Sequence, residues 1–154
     1  MPAPLLILYA TVTGNAESCA ESIAETARQR GYEPRVWSVE GFDVKQLANE
    51  PAVLFCVSTY GEGDPPDQAT TFWDELQAYT GSLASLRYAI YALGDSSYAD
   101  FCGFGKKLDS ELSVKGAQCI AERADNDLDF QAGMDAWYAA VFDALPGVLA
   151  PAAA

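Results

Sequence analysis

The chain has no histidine, no Cys-x-x-Cys pair and no stretch both long and apolar enough to span a bilayer. Its four cysteines, Cys19, Cys56, Cys102 and Cys119, are scattered, which leaves no metal-ligand spacing and makes a disulfide framework unexpected in a domain of this size. Cys19, Cys56 and Cys119 read as small buried hydrophobes, while Cys102 stands apart because it follows a Gly-Asp-Ser-Ser-Tyr loop. The best candidate span, near the C-terminus, is interrupted by Asp143 and Pro146. Nothing resembles a targeting signal, since the apolar run Leu5 to Tyr9 is short, lies close to Met1 and has no basic flank; a cytoplasmic protein is expected. Positive charge is scarce: nine basic residues face 22 acidic ones, for a net charge of -13. Such a surface repels nucleic acid and anionic membranes. Acidity can serve solubility alone, but here it is concentrated. From Gln46 to Leu86 there is no Lys or Arg, while Glu50, Glu62, Asp64, Asp67, Asp74 and Glu75 all fall inside.

What the sequence does have is alternation. At 154 residues, half of them hydrophobic, the chain is long enough for one domain with a substantial core and too apolar for disorder. Apolar runs at Leu5–Ala10, Arg35–Val39, Ala52–Val57, Tyr88–Leu93 and Gln118–Arg123 read as five strands. Between them lie helical patterns. One carries Ala16, Cys19, Ala20, Ile23, Ala24 and Ala27 on one face and stops at Gly31. A weak connection from Phe42 to Glu50 holds one or two helical turns. The next helix carries Phe72, Trp73 and Leu76 and ends at Gly81, and another runs through Lys106, Leu108 and Leu112. The last shows Met134, Trp137, Tyr138, Val141, Phe142 and Leu145 at three-and-four spacing, a stripe read as core. The domain is expected over residues 1–148, with 149–154 a short Ala/Pro tail. Strands alternating with helices imply an α/β fold with a doubly wound, five-stranded parallel sheet. Ligands in such sheets bind beyond the carboxyl ends of the strands, so the loops after the first, third and fourth strands are the candidate site.

The first of these loops is Thr11-Val12-Thr13-Gly14-Asn15-Ala16, between a strand and a helix N-terminus. Its amides and hydroxyls can converge on an anion, helped by the helix dipole, although Thr and Asn also serve simply as caps. Gly14 lets the backbone approach closely. No lysine is present, so this is not the nucleotide-hydrolysing loop, and the three spaced glycines of dinucleotide sites are missing. A neutral, hydroxyl-rich cradle suits a phosphate monoester. Glu17 is expected to point away from it. The second loop, Ser58-Thr59-Tyr60-Gly61-Glu62-Gly63-Asp64-Pro65-Pro66-Asp67, and the third, Gly94-Asp95-Ser96-Ser97-Tyr98-Ala99-Asp100-Phe101-Cys102-Gly103 directly after Leu93, each place a tyrosine where the chain leaves the core. Either ring alone is an ordinary half-buried tyrosine. Two of them above a phosphate cradle suggest a flat aromatic ligand, and phosphate plus a tricycle describes FMN.

These segments resemble the three FMN loops of flavodoxins, most nearly those in the FMN domains of diflavin reductases such as the sulfite reductase flavoprotein component. Any one motif is weak; three in order and spacing, across Leu5 to about Leu145, are specific. The resemblance implies a flavodoxin-like strand order 2-1-3-4-5, a phosphate site at Thr11 to Ala16, and Tyr60 and Tyr98 flanking the flavin. It also implies an approach by the segment Asp125-Asn126-Asp127, with Asp127 a candidate contact. Diflavin reductases continue into an FAD and nicotinamide module, so this chain is not expected to take hydride from NADPH by itself. The fifth strand lacks a long insertion and resembles the short-chain kind.

The expected function is electron transfer by a monomeric, FMN-containing carrier between a reductase and acceptor enzymes with basic docking surfaces. Gly61 allows the Gly61–Glu62 peptide to turn its carbonyl toward the flavin N5 hydrogen. Glu62, Asp64 and Asp95 would oppose added negative charge; at an effective dielectric of about 20, a like charge roughly 8 Å away costs on the order of 2 kcal/mol. The reduced cofactor should therefore be a strong reductant, and the acidic group Glu62, Asp64, Asp67 and Asp100 should steer a basic partner. Three alternatives stand beside this reading. An FMN-dependent NAD(P)H:quinone oxidoreductase needs a nicotinamide pocket. A phospho-accepting receiver needs an aspartate where Ser58-Thr59 stands and an acidic pair where Thr11-Val12 stands. A flavin-bearing accessory protein is not separable by sequence.

Overall fold

The computed structural model describes residues 3–12, 14–60, 63–95, 97, 101–127 and 129–151. Its centre is a sheet of β1 (Ala3–Ala10), β2 (Tyr32–Ser38), β3 (Ala52–Ser58), β4 (Arg87–Leu93), β5 (Gln118–Cys119) and β6 (Ala124–Asn126). The order is β2-β1-β3-β4-β5, with β6 also on β4, and every pairing is parallel. This is the doubly wound arrangement expected from the alternation. β3 is buried at all positions, as a central strand covered on both faces must be, and its sequence Ala-Val-Leu-Phe-Cys-Val-Ser accordingly does not alternate. The outer strand β2 carries Pro34, whose missing amide is tolerated at an edge.

Helices α1 (Asn15–Gln29) and α4 (Met134–Ala144) contribute to one buried layer, and α2 (Thr70–Ala78) and α3 (Gly103–Val114) to the other. The period-two geometry of β1 sends Leu6 and Leu8 toward Phe72, Leu76, Phe104 and Leu108, while Leu5 and Ile7 meet Ile23, Trp137 and Val141. Each fully buried side chain of this kind contributes roughly 1.5–3 kcal/mol. An isolated helix as short as α2 is marginal in water, so packing of Phe72 and Leu76 holds it in place.

The fifth strand differs from expectation. Gln118–Arg123 is not one strand: β5 pairs Arg87 and Tyr88, and β6 resumes at Tyr91, Ala92 and Leu93. Four residues, 120–123, stand opposite two, Ala89 and Ile90, so a single register cannot continue. In the gap Arg123 pairs with Asp109 of α3 and with Asp125 of β6. Both residues of β5 are exposed, so Cys119 is a surface thiol and not the buried hydrophobe expected. Cys19 and Cys56 are buried as expected.

Smaller shifts have local causes. β2 starts at Tyr32, ahead of the expected Arg35, because pairing with Ala3, Pro4 and Leu5 extends it through Glu33 and Pro34. α2 stops at Ala78, before Gly81, where Tyr79 turns extended and its carbonyl accepts from Lys115 Nζ at 2.6 Å. The connection after β2 holds a 3₁₀ turn, Val44–Asn49, with the Asp43 side chain accepting from the Lys45 amide. Beyond Val148, the Leu149 carbonyl accepts from the Tyr32 hydroxyl at 2.8 Å. No helix among the described residues is long and apolar enough to cross a membrane, and no group among them could hold a metal ion.

Candidate functional site

β1, β3 and β4 run in parallel, so the loops that follow them emerge at one end of the sheet. In the first loop the Thr11 hydroxyl accepts from the Gly14 amide at 2.8 Å, closing a turn onto the start of α1. Gly14 is the N-cap at φ +92°, a conformation that only glycine adopts freely. A β-carbon there would meet nothing within 4 Å, so Gly14 is required by its backbone and the space beside it is open, not crowded as a close approach would make it. Among the described residues no side chain caps α1. The amides of Asn15 and Ala16 therefore sit at a positive helix end that no described side chain satisfies. Burial first, then the charges of Glu17 and Glu21, push the Tyr9 hydroxyl's pKa up.

The second loop is tied at several points. Ser58 ends β3 as a buried polar residue, and the Thr59 amide donates to the Leu93 carbonyl at 3.1 Å. Tyr60 and Asp64 exchange two backbone hydrogen bonds, of 2.8 and 2.9 Å, and close a narrow turn that includes Gly63 at φ +100°. Tyr60 is 52% exposed, a large aromatic face left uncovered by the protein. Val12 in the first loop is 46% exposed. Between the two loops lies a cleft of about 290 Å³ lined by Thr11, Val12, Glu40, Tyr60, Asp67 and Gln68.

In the third loop Leu93 is buried, and the Gly94 amide donates to the Asn126 carbonyl at 2.8 Å. A β-carbon on Gly94 would lie 2.8 Å from the Cys102 amide nitrogen, so this glycine permits a close backbone approach. Asp95 accepts from the Ser97 amide and hydroxyl at 2.9 and 2.7 Å. Phe101 is half-buried with Lys106 Nζ 5.9 Å from its ring centre. Cys102 caps α3 at φ 54° and is fully buried, its Sγ 3.5 Å from the Asn126 carbonyl. Burial, reinforced by the Asp125 charge, pushes its thiol up to about 11. A thiol so placed shapes the loop from inside the core and offers no reactive sulfur.

The structure thus gathers Thr11, Val12, Gly14, Asn15, Ala16, Ser58, Thr59, Tyr60, Gly63, Leu93, Gly94, Asp95, Ser97, Phe101 and Cys102 onto the loops and the adjoining strand and helix ends at one end of the sheet. Thr13, Gly61, Glu62, Tyr98 and Asp100 lie outside the described residues. Asp127 is half-buried just after β6.

The flavodoxin family model matches residues 7–137 of the chain. The flavoprotein alpha-component of NADPH sulfite reductase from Shewanella sp. strain MR-7 is 39% identical over 144 residues, 90% of this chain and 23% of that protein. Its counterpart in Vibrio cholerae is 38% identical over 151 residues, 97% of this chain and 25% of that protein. The chain belongs to the flavodoxin family. It spans about a quarter of the length of these relatives. A flavodoxin of Streptococcus pneumoniae TIGR4 shares the fold, with a TM-score of 0.82 at 24% identity over 94% of this chain and 99% of that one.

Three residues outside the expected set of site residues tie its loops together. Gln68 Oε1 accepts from the Thr11 amide at 3.0 Å and joins the first loop to the second. Asn126, 8% exposed, donates Nδ2 to the Ala92 carbonyl at 3.0 Å and holds β6 against β4 beneath the third loop. Its position inside Asp125-Asn126-Asp127 was the available signal, but the neighbouring charges mask it, and Asp125 is committed to Arg123. Lys107 Nζ donates to the Gly63 carbonyl at 2.9 Å, so a cation reaches the acidic second loop although none is near it in sequence.

Proposed function

We propose that this flavodoxin-family chain holds one FMN and carries low-potential electrons from a reductase to acceptor enzymes. The observation that carries the reading is the start of α1, which no described side chain caps and where a β-carbon on Gly14 would meet nothing within 4 Å, together with the half-exposed Tyr60 ring on the cleft it shares with Thr11 and Val12. That combination fits a ligand with a terminal phosphate and a flat apolar body. The amides of Asn15 and Ala16 and the hydroxyls of Thr11 and Thr13 would bind the phosphate by hydrogen bonds and the helix dipole. Tyr60 and Tyr98 would cover the ring faces, Gly61, Glu62 and Gly63 would line the edge, and Asp95 and Asp127 would border the third side. Bound FMN would supply one- and two-electron redox chemistry.

The protein's own part is binding, orientation and field. Val12, Tyr60 and Tyr98 would exclude water from the rings they cover. Asp64 and Asp67, exposed on the second loop, raise the negative potential around the site, which favours oxidation of the loaded carrier and attracts a basic docking surface. With a net charge of -13 the partner is a redox protein rather than nucleic acid or membrane. Residues 1–148 would form the FMN domain, acting as a monomer in the cytoplasm.

The test is an anaerobic relay. The FMN-loaded chain is mixed with NADPH and an FAD-containing reductase module of the sulfite reductase type, and flavin absorbance is followed. Reduction that requires the module, followed by reoxidation by a haem acceptor, supports the carrier. Direct NADPH oxidation by the loaded chain alone would favour the NAD(P)H:quinone oxidoreductase reading.

A further inference from the structure

The first two turns of α3 reach back to the second loop at both of its ends. The Phe104 amide donates to Thr59 Oγ1 at 3.3 Å, and Lys107 Nζ donates to the Gly63 carbonyl at 2.9 Å. Gly63 is buried at φ +100° next to Asp64, whose backbone closes the turn on Tyr60. The adjacent Lys106 goes elsewhere, over the Phe101 ring. Lys107 thus brings a cation from 44 residues away to a loop whose own segment, Gln46 to Leu86, contains none.

We propose that Lys107 is a positioning residue for the candidate site: its ammonium holds the Tyr60–Asp64 turn closed, fixing the Tyr60 ring, and leaves a positive charge on an otherwise acidic rim. The flavin-related half of this proposal rests on the FMN reading above; the clamp itself does not. A charge-assisted bond of this type is stronger than a neutral one, and its donor forms no ion pair with a carboxylate among the described residues. Because Lys107 belongs to α3, which begins at the end of the third loop, it also couples the second loop to the third.

The experiment compares the full chain with Lys107→Met, which keeps an apolar stem and loses charge and donor, and Lys107→Arg, which keeps both. Without FMN, amide exchange at Tyr60 and Asp64 should quicken about tenfold in Lys107→Met, the loss expected for one hydrogen bond to a charged group. With FMN, Lys107→Met should bind severalfold more weakly and show a lower midpoint potential, because a cation that favours the reduced, more negative cofactor is gone. Lys107→Arg should restore exchange, affinity and potential. Unchanged exchange at Tyr60 and Asp64 in Lys107→Met, or an arginine variant that restores none of the three, overturns the proposal. Faster exchange that arginine restores, in a chain that takes up no FMN, would uphold the clamp and refute the cofactor reading.

Discussion

The backbone amide of Thr11 donates to the side-chain oxygen of Gln68 at 3.0 Å, locking the loop after β1 to the loop after β3. The Ser38 hydroxyl lies 3.4 Å from the same oxygen, so the edge strand shares the anchor. Gln68→Ala leaves a part-buried amide without its acceptor, at a cost of about 1–3 kcal/mol. The expected result is FMN affinity reduced about tenfold, with each 1.4 kcal/mol worth one decade. Fluorescence titration measures it, and a dissociation constant within twofold of the parent would assign Gln68 no part in the site.

Asn126 joins the third loop to the sheet through Ala92 on one side and Gly94 on the other. Asn126→Leu removes the donor to the Ala92 carbonyl and places bulk where a Gly133 β-carbon would already lie 2.6 Å from Asn126 Oδ1. Loss of about 2 kcal/mol or more is expected, from an orphaned acceptor and overpacking together. Urea unfolding of the FMN-free chain checks it, and a midpoint equal to the parent's would contradict the role.

Most of the sheet was legible because burial writes a two-residue alternation or an unbroken apolar run, as in Leu5–Ala10 and Ala52–Val57. The three loops were legible because glycine, hydroxyl-bearing residues and tyrosine just beyond apolar strands are an unusual combination. What was not legible is long-range. The contacts Thr11–Gln68 and Lys107–Gly63 join residues 57 and 44 apart, and nothing in either local pattern records the other. The broken fifth strand was hidden for a related reason. Propensity reads Gln118 to Arg123 as continuous, whereas the two extra residues opposite Ala89 and Ile90, and the pairing of Arg123 with Asp109 and Asp125, decide the register. Cys119 became exposed through the same break.

Buried acids that ionise late make stability fall at alkaline pH. Burial pushes the Cys102 thiol up to about 11 and the Tyr138 hydroxyl up to about 12, and it also raises Cys56, Tyr88 and Tyr91. The folded chain holds these protons more tightly than the unfolded one. Their contribution is fully present below the ordinary thiol value and is lost as pH climbs through the raised values. Unfolding free energy should be level from about pH 7 to 8.5 and decline from about 9 upward. Cys102→Ala should make the decline shallower. A stability that rises between pH 9 and 11 would be the wrong sign.

Asp64 and Asp67 stand exposed beside the site. Reversing both to lysine should slow electron exchange with a basic reductase by about tenfold or more at low salt and raise the flavin midpoint potential. In the parent protein the rate should fall as salt is added, since screening at physiological ionic strength acts over about 8 Å. Stopped-flow mixing across a salt series and anaerobic redox titration measure the two effects. A flat salt dependence with unchanged potentials would leave the acidity as solubility charge.

The most direct measurement is titration of the flavin-free chain with FMN and, separately, with riboflavin. The loop closed by Thr11 and Gly14 at the start of α1, which no described side chain caps, is the basis for assigning a phosphate there. The predicted result is one FMN per chain, with riboflavin bound at least about a hundredfold more weakly, equivalent to roughly 2.7 kcal/mol or more of phosphate recognition. Equal affinity for the two flavins, or no binding of either, would contradict it.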